Sequence, residues 1–339
     1  MSMRSEGPPL QVPLPLLVSV VVPTYRRPAL LERCLAALLD QTLATACYEV
    51  LVVDDGHEDA VLRLVERLAQ RPGAPALHCL RPSTGRGPAV ARNCGWRAAR
   101  APLVAFTDDD TIADRHWLHH GLVGMRPEWL AQAGRVRVPR RRARERPPTD
   151  HELMTRGLER AEFVTANAFV WRAALVLVGG FDERFQRPWR EDADLQFRLE
   201  ALGTVGRCEQ ALVWHPVRRE SWGVSLRQQR NVFFDALLYR KHPQLYRVRV
   251  RQRPPWDYYL IVALTVLGAL LMSTGPAWGA AAALAAALAL VLAFAARRLR
   301  HTARTPSHVG EVLLTSALIP FLSVYWRLRG ALHFKVLFL

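Results

Sequence analysis

Cysteine and lysine are both scarce in this sequence. The five cysteines, Cys34, Cys47, Cys79, Cys94 and Cys208, are odd in number and never spaced as CxxC, which argues against a disulfide framework and fits reduced thiols in a cytosolic compartment. Lysine occurs only at Lys241 and Lys335, so nearly all of the 46 basic charges are arginine; set against 30 acids they leave a formal net charge of +16. Arginine suits phosphate because its planar fork is always charged, so nucleic acid, anionic lipid and phosphorylated substrates all enter as partners, beside ordinary solvated surface. No zinc-finger or RNP1-like pattern occurs and the arginines gather beside apolar spans, so anionic lipid accounts for them and nucleic acid is not expected. The N-terminus lacks a small-residue cleavage site and its apolar stretch is broken by Pro13 and Pro15, so residues 1–15 read as a leader and not a signal peptide.

What is present is apolar bulk: half of the 339 residues are hydrophobic, enough for a large core and two or three domains. From Leu16 to about Val217, short strand-like runs (LLVSVVVP, YEVLVVDD, PALHCL, PLVAFTDDD) alternate with helical ones (LLERCLAALLDQ, DAVLRLVERLAQ, GPAVARNCGWRAA). Such alternation predicts a doubly wound α/β sheet whose ligands collect at the carboxyl ends of the strands. The run RVRVPRRRARER, Arg135 to Arg146, interrupts it and reads as a solvated loop or an extended edge.

After Pro254 the character changes. Two uncharged apolar runs, about 258–274 and 277–296, flank Gly275-Pro276 and are each close to the roughly 20 residues that cross a bilayer. They read as a transmembrane hairpin. Arg247, Arg249, Arg251 and Arg253 precede it and Arg297, Arg298, Arg300 and Arg304 follow it, which places both open ends, and the domain before them, on the cytoplasmic side. A third stretch, about 309–326, contains Pro320 and ends at Arg327 and Arg329, so an interfacial or re-entrant helix is expected there.

Acids gather at the strand ends. In VAFTDDDTI, Asp108, Asp109 and Asp110 follow an apolar run directly; three repelling carboxylates suit a shared divalent cation, manganese or magnesium, and equally suit a helix cap. Asp54 and Asp55 end the second run before Gly56, where a turn is the alternative. GRGPAVARNCG, Gly85 to Gly95, can aim Arg92 and Asn93 at the same crevice, and acids, an arginine and a glycine-rich helix start together suit a nucleotide diphosphate with a metal. Farther on, Glu191 and Asp192 in WREDADLQFRLEALG sit at a helix start, with Leu195, Leu199 and Leu202 on one helical face; they either cap the helix or do chemistry.

Six ordered motifs, PTYRR, VVDDG, the GRGPAVARNCG helix start, TDDD, GGFDERF and WREDADLQFRL, resemble the family 2 glycosyltransferases with the GT-A fold over about Leu16 to Val217. The resemblance implies a GT-A domain over 16–220; after it, the residues themselves predict a basic amphipathic linker or interfacial helix over 221–256 and a membrane region over 257–339. It implies that Pro23, Thr24 and Tyr25 line the nucleotide site, that Asp54 reads the base beside Asp55, and that Arg92 contacts base or phosphate. Asp108 and Asp109 fall on the donor side, Asp110 and Asp108 are the metal ligands, and His215 in VWHPVRR is a further ligand or an ordinary structural histidine. Asp192 is implied as general base, with Glu191 beside it. Gly180, Phe181 and Asp182 shape the acceptor side, where Trp189 offers a sugar platform or a core ring. Arg227, Gln228, Gln229 and Arg230 lack the spacing and tryptophan of the QxxRW element of processive synthases, so one sugar per encounter is expected. The implied activity is inverting transfer from a nucleoside diphosphate sugar to a lipid-linked or envelope glycan acceptor at the inner membrane. A nucleotidyltransferase, which would release pyrophosphate, and a non-catalytic membrane scaffold are the alternatives; GGFDE and WREDAD favour the glycosyl reading.

Overall fold

The computed structural model describes residues 14–140 and 147–338. The first part alternates β1 (Val18–Thr24), α1 (Pro28–Leu39), β2 (Tyr48–Asp54), α2 (Asp59–Ala69), β3 (Ala76–Leu80), α3 (Pro88–Ala98) and β4 (Leu103–Thr107). Each helix buries one stripe. In α2, Val61, Leu64, Val65 and Leu68 recur at helical spacing and are all buried, and Pro28 and Pro88 start α1 and α3 where a missing N–H costs nothing. Every residue of β2 is buried, as expected for a parallel strand covered on both faces.

After β4 the pattern becomes mixed. The chain continues through β5 (Ile112–Ala113), α4 (Trp117–Gly124), β6 (Trp129–Arg137), α5 (Asp150–Thr155), β7 (Asn167–Trp171), α6 (Arg172–Val178), α7 (Glu191–Glu200) and β8 (Thr204–Trp214). The eight strands form one sheet in the order β3-β2-β1-β4-β7-β6-β8-β5. Pairings among β3, β2, β1 and β4 are parallel, whereas β7 runs antiparallel to both β4 and β6. The doubly wound expectation therefore describes only the first half. Arg135 to Arg137, expected in a loop or edge, lie in β6 between β7 and β8, and residues 141–146 of that run fall outside the described residues.

The linker is not one amphipathic helix. It breaks into α8 (Val224–Gln228), α9 (Phe233–Lys241), the single turn α10 (Pro243–Leu245) and a π-type turn over Tyr246–Val250, because His242-Pro243 cannot continue α9. Leu202 also departs from expectation: it lies beyond α7 and is 58% exposed, while Leu195 and Leu199 are fully buried.

Three helices follow, α11 (Trp256–Thr274), α12 (Ala277–Leu299) and α13 (Pro306–His333), with mean hydropathies of 1.6, 2.3 and 1.5. All three are long and apolar enough to cross a membrane. The third is a single helix of 28 residues that runs through Pro320, so its backbone does not turn back as a re-entrant segment would.

The three apolar helices are fastened to the domain before them. Arg298, at the end of α12, donates to Asp150 Oδ2 at 2.8 Å and to Thr315 Oγ1 and Ser316 Oγ of α13 at 2.8 Å each. Farther along, Phe334 and Phe338 pack with Phe234 and Leu238 of α9, with Phe185 and with Phe197 of α7 in one buried cluster. Asp182, in the loop before α7, accepts from Lys241 of α9 at 2.7 Å and from Arg184. Burial alone would raise its carboxyl, but those two cations win and hold it below the usual carboxylate range.

Two outcomes follow. Phe338→Ala should destabilise the α/β domain by about 3–5 kcal/mol, read as a lowered unfolding midpoint in detergent, because the ring is fully buried in that cluster. Asp182→Asn should also lower that midpoint at neutral pH. Because the folded pKa is depressed, this loss is full above the unfolded value and shrinks as pH falls below 3.8; a difference that persists undiminished at lower pH would contradict the ion-pair assignment.

Candidate active site

The parallel half of the sheet brings three strand ends together. Thr24 stands in register with Asp54 across β1 and β2, and Val21 with Phe106 across β1 and β4, so the turns after β1, β2 and β4 open into one cleft of about 760 Å³. Pro23, Thr24, Tyr25, Asp55, Arg92 and all three aspartates after β4 line it. Tyr25 is 46% exposed, an aromatic ring standing open at a polar cleft.

Asp54 and Asp55 have exchanged the places expected for them. Asp54 is fully buried and is consumed by the turn after β2, accepting from the N–H of Gly56 at 3.1 Å and of Glu58 at 2.6 Å with Arg81 3.4 Å away. It is not among the cleft-lining residues. Asp55 lines the cleft, accepts from the N–H of Gly87 at 2.9 Å, and keeps a buried Oδ1 without a partner. Gly87 is required there: its φ is +112° and a Cβ would meet Gln186 O at 2.8 Å.

The three aspartates diverge, which is how their repulsion is relieved. Asp109 accepts from Thr24 Oγ1 at 2.8 Å with Arg27 at 3.5 Å, and burial pushes its carboxyl up to about 6 against those partners. Asp108 accepts from Arg92 Nη2 at 2.8 Å. Asp110 is buried beside His215, 3.6 Å from its Nε2, and pairs with Arg218 at 2.7 Å. No helix starts at the triplet: β5 follows it, and α4 begins only at Trp117 with His116 at its N-cap, so the cap reading falls away.

Asp108, Asp110 and His215 bring ligand atoms within 4.8 Å of one another. Two carboxylates and an imidazole form a hard donor set that suits manganese or magnesium. The buried His215 Nδ1 also lacks a hydrogen-bond partner, and the Arg218 guanidinium sits against Asp110 where positive charge is wanted. The residues therefore fit a divalent cation, held by Asp108 and Asp110 with Asp109 turned to β1.

Arg92 joins this lip to the second acidic pair. Buried on α3, it donates from Nη1 to Glu191 Oε1 at 2.9 Å and from Nη2 to Asp108 Oδ1 at 2.8 Å. Glu191 is buried, whereas Asp192 is half-buried and accepts from the Ala193 N–H at 2.7 Å. Burial raises the proton affinity of both; the Ala193 N–H and Arg92 oppose the rise at Asp192, Arg92 opposes it at Glu191, and the negative charge of Asp192 adds to it at Glu191 as that of Asp108 does at both. Neither caps α7 from the N-cap position, which Arg190 holds in a left-handed conformation at φ 76°.

The expected acceptor residues turn inward. A Cβ on Gly180 would meet Asn93 Oδ1 at 2.5 Å, and Asn93 clamps Phe181 by accepting from its N–H at 2.8 Å and donating to its carbonyl at 2.9 Å. Phe181 is buried edge-on against Phe106. Trp189 donates to Asp235 Oδ1 of α9 at 2.8 Å and is half-buried against the cluster that holds Phe338. What the sequence reading missed is cationic: Arg27, Arg86, Arg187 and Arg218 also line the cleft. Arg27 and Arg218 lay inside quoted motifs, PTYRR and VWHPVRR, but nothing in their spacing separated them from the other arginines.

Comparison with known proteins agrees with this geometry. Residues 19–184 match the profile of Glycosyl transferase family 2. Validoxylamine A glucosyltransferase of Streptomyces hygroscopicus subsp. jinggangensis is 31% identical over 276 residues, covering 68% of this chain and 62% of that protein. Pre-mycofactocin glycosyltransferase of Mycobacterium tuberculosis is 29% identical over 221 residues, 60% of this chain and 43% of its own. The chain thus spans less than two thirds of the length of these curated relatives. Among solved structures, a mannosyltransferase from Pyrobaculum calidifontis, in complex with GDP-Man and Mn2+, superposes with a TM-score of 0.58 at 21% identity over 91% of this chain and 88% of that one, which shows a shared GT-A architecture. Through its residues 19–184 the chain belongs to the family 2 glycosyltransferases, on a GT-A fold followed by three apolar helices.

Proposed function

We propose that this protein is a metal-dependent inverting hexosyltransferase, moving one sugar from a nucleoside diphosphate sugar to a lipid-linked or cell-envelope glycan acceptor. The observation that carries this reading is Arg92, which lines the cleft and ties Asp108 in its wall to Glu191, the neighbour of Asp192, at the start of α7. The solved mannosyltransferase bound to GDP-Man and Mn2+ supports the same use of this architecture.

Tyr25 offers its exposed face to the base, and Asp55 with the Gly87 turn borders the same end of the cleft. Arg27, Arg86, Arg187 and Arg218 surround the space a diphosphate would fill, supplying charge-assisted hydrogen bonds. A manganese or magnesium ion held by Asp108, Asp110 and His215 would stabilise the charge that builds on the departing diphosphate. Asp192 takes the proton of the acceptor hydroxyl as its oxygen attacks the anomeric carbon and the bond to the diphosphate oxygen breaks on the opposite face. Its proton affinity, raised by burial, suits that task better than a fully solvated carboxylate would. Glu191, locked to Arg92, keeps the guanidinium in place. The arginines flanking α11 and α12 support a catalytic domain on the cytoplasmic face of the inner membrane.

Transfer should release nucleoside diphosphate, not pyrophosphate, stop on chelation and return with manganese or magnesium. Asp192→Asn should lower turnover by about 10²- to 10⁴-fold while nucleotide affinity holds. Asp110→Ala should weaken metal-dependent nucleotide binding as well. Undiminished turnover in either variant, measured as nucleoside diphosphate release, would sink these assignments.

A further inference from the structure

Trp189 is held by Asp235, and a second, more exposed tryptophan stands farther along the chain. Trp222 is 51% exposed and lines a polar cavity of about 400 Å³ where the catalytic domain meets the membrane helices. One wall is the strap Val217 to Glu220; another is Arg298 of α12 with His308 and Glu311 in the first turns of α13. The strap also borders a second space of about 490 Å³ that reaches Asp110 and Arg27, residues of the donor cleft. Arg218 lines all three.

Charge within the junction cavity is largely matched. The lining interleaves four carboxylates, Asp150, Glu152, Glu220 and Glu311, with three arginines, Arg218, Arg219 and Arg298; Arg298 is paired with Asp150 and Glu311 accepts from the Gly223 N–H at 2.7 Å, so no cluster of one sign stands ready for an ionic ligand. Polar capacity is left over. Arg219 and Gln228 have no partner among the described residues, and His308, with a side chain only 7% exposed and Nδ1 4.0 Å from Glu311, keeps Nε2 without a hydrogen bond. Such a buried orphan costs about 1–3 kcal/mol unless something fills it. Mixed donors and acceptors beside an open indole face suit a neutral sugar ring, whose hydroxyls bond at the edge while its C–H face packs on the aromatic ring.

We propose that this cavity binds a neutral saccharide unit of the acceptor, at least one ring away from the hydroxyl that receives the sugar, with Trp222, Gln228, Arg219 and His308 as its contacts. The assignment rests on the glycosyltransferase reading and narrows the acceptor to a glycan of two or more units, presented at the ends of α12 and α13.

The test is saccharide binding by the full chain in detergent on an array of mono-, di- and trisaccharides of neutral hexoses and N-acetylhexosamines, beside calorimetric titration with UDP and GDP. Retention of at least one oligosaccharide tenfold or more above its component monosaccharides is expected. Trp222→Ala and, independently, Gln228→Ala should each lower it at least tenfold while nucleotide affinity stays at the wild-type value. Nucleotide binding with no oligosaccharide preference, or variants that bind saccharides as the wild type does, would overturn the assignment. So would a Trp222→Ala chain that keeps its saccharides but leaves phosphatidylglycerol vesicles, which would make Trp222 an interfacial anchor. Absence of nucleotide binding in the wild type would instead strike at the glycosyltransferase reading.

Discussion

A guanidinium taken out of water needs carboxylates on both arms of its fork, and the site is arranged around that requirement at Arg92. Asp108 and Glu191 lie 16 and 99 residues from it along the chain, and each gives one oxygen. Removing either partner would strand a buried charge, a loss of several kcal/mol in general. The contact therefore fixes α7 against the end of β4, and with it the distance between the acidic lip of the cleft and Asp192.

A second constraint holds the same helix from behind. Arg190 and Trp189 both donate to Asp235 Oδ1, at 2.7 and 2.8 Å, which pins the left-handed residue at the N-cap of α7 to α9. Helix α9 in turn lies against α13, where a Cβ on Gly330 would meet Phe233 O at 2.5 Å, and the chain end closes the cluster with Phe334 and Phe338. The apolar helices are thus packed into the support of α7, so whatever orients α13 also orients α7.

Much of this was legible because it is written in local patterns. Strand and helix periodicity located the elements up to β4, and acids directly after apolar runs located the cleft. Uncharged runs of about 20 residues marked α11 and α12. The rest depends on long-range pairing that one sequence does not display. Asp54 and Asp55 are chemically identical neighbours, and only the turn after β2 decides that Asp54 is used internally while Asp55 faces the cleft. Asp109 differs from Asp108 and Asp110 only through Thr24. Trp189 was ambiguous until Asp235 appeared opposite it, and the four extra cleft arginines could not be separated from an arginine-rich background.

The central claim is that Arg92 couples the donor lip to the acidic pair on α7. Arg92→Lys tests it most directly, since lysine keeps the buried charge but cannot span two carboxylates with a planar fork. Calorimetric titration of this variant with UDP or GDP and manganese, paired with turnover, should show folded protein with at least tenfold weaker nucleotide binding and a larger loss of transfer. Wild-type affinity and wild-type turnover in Arg92→Lys would contradict the account.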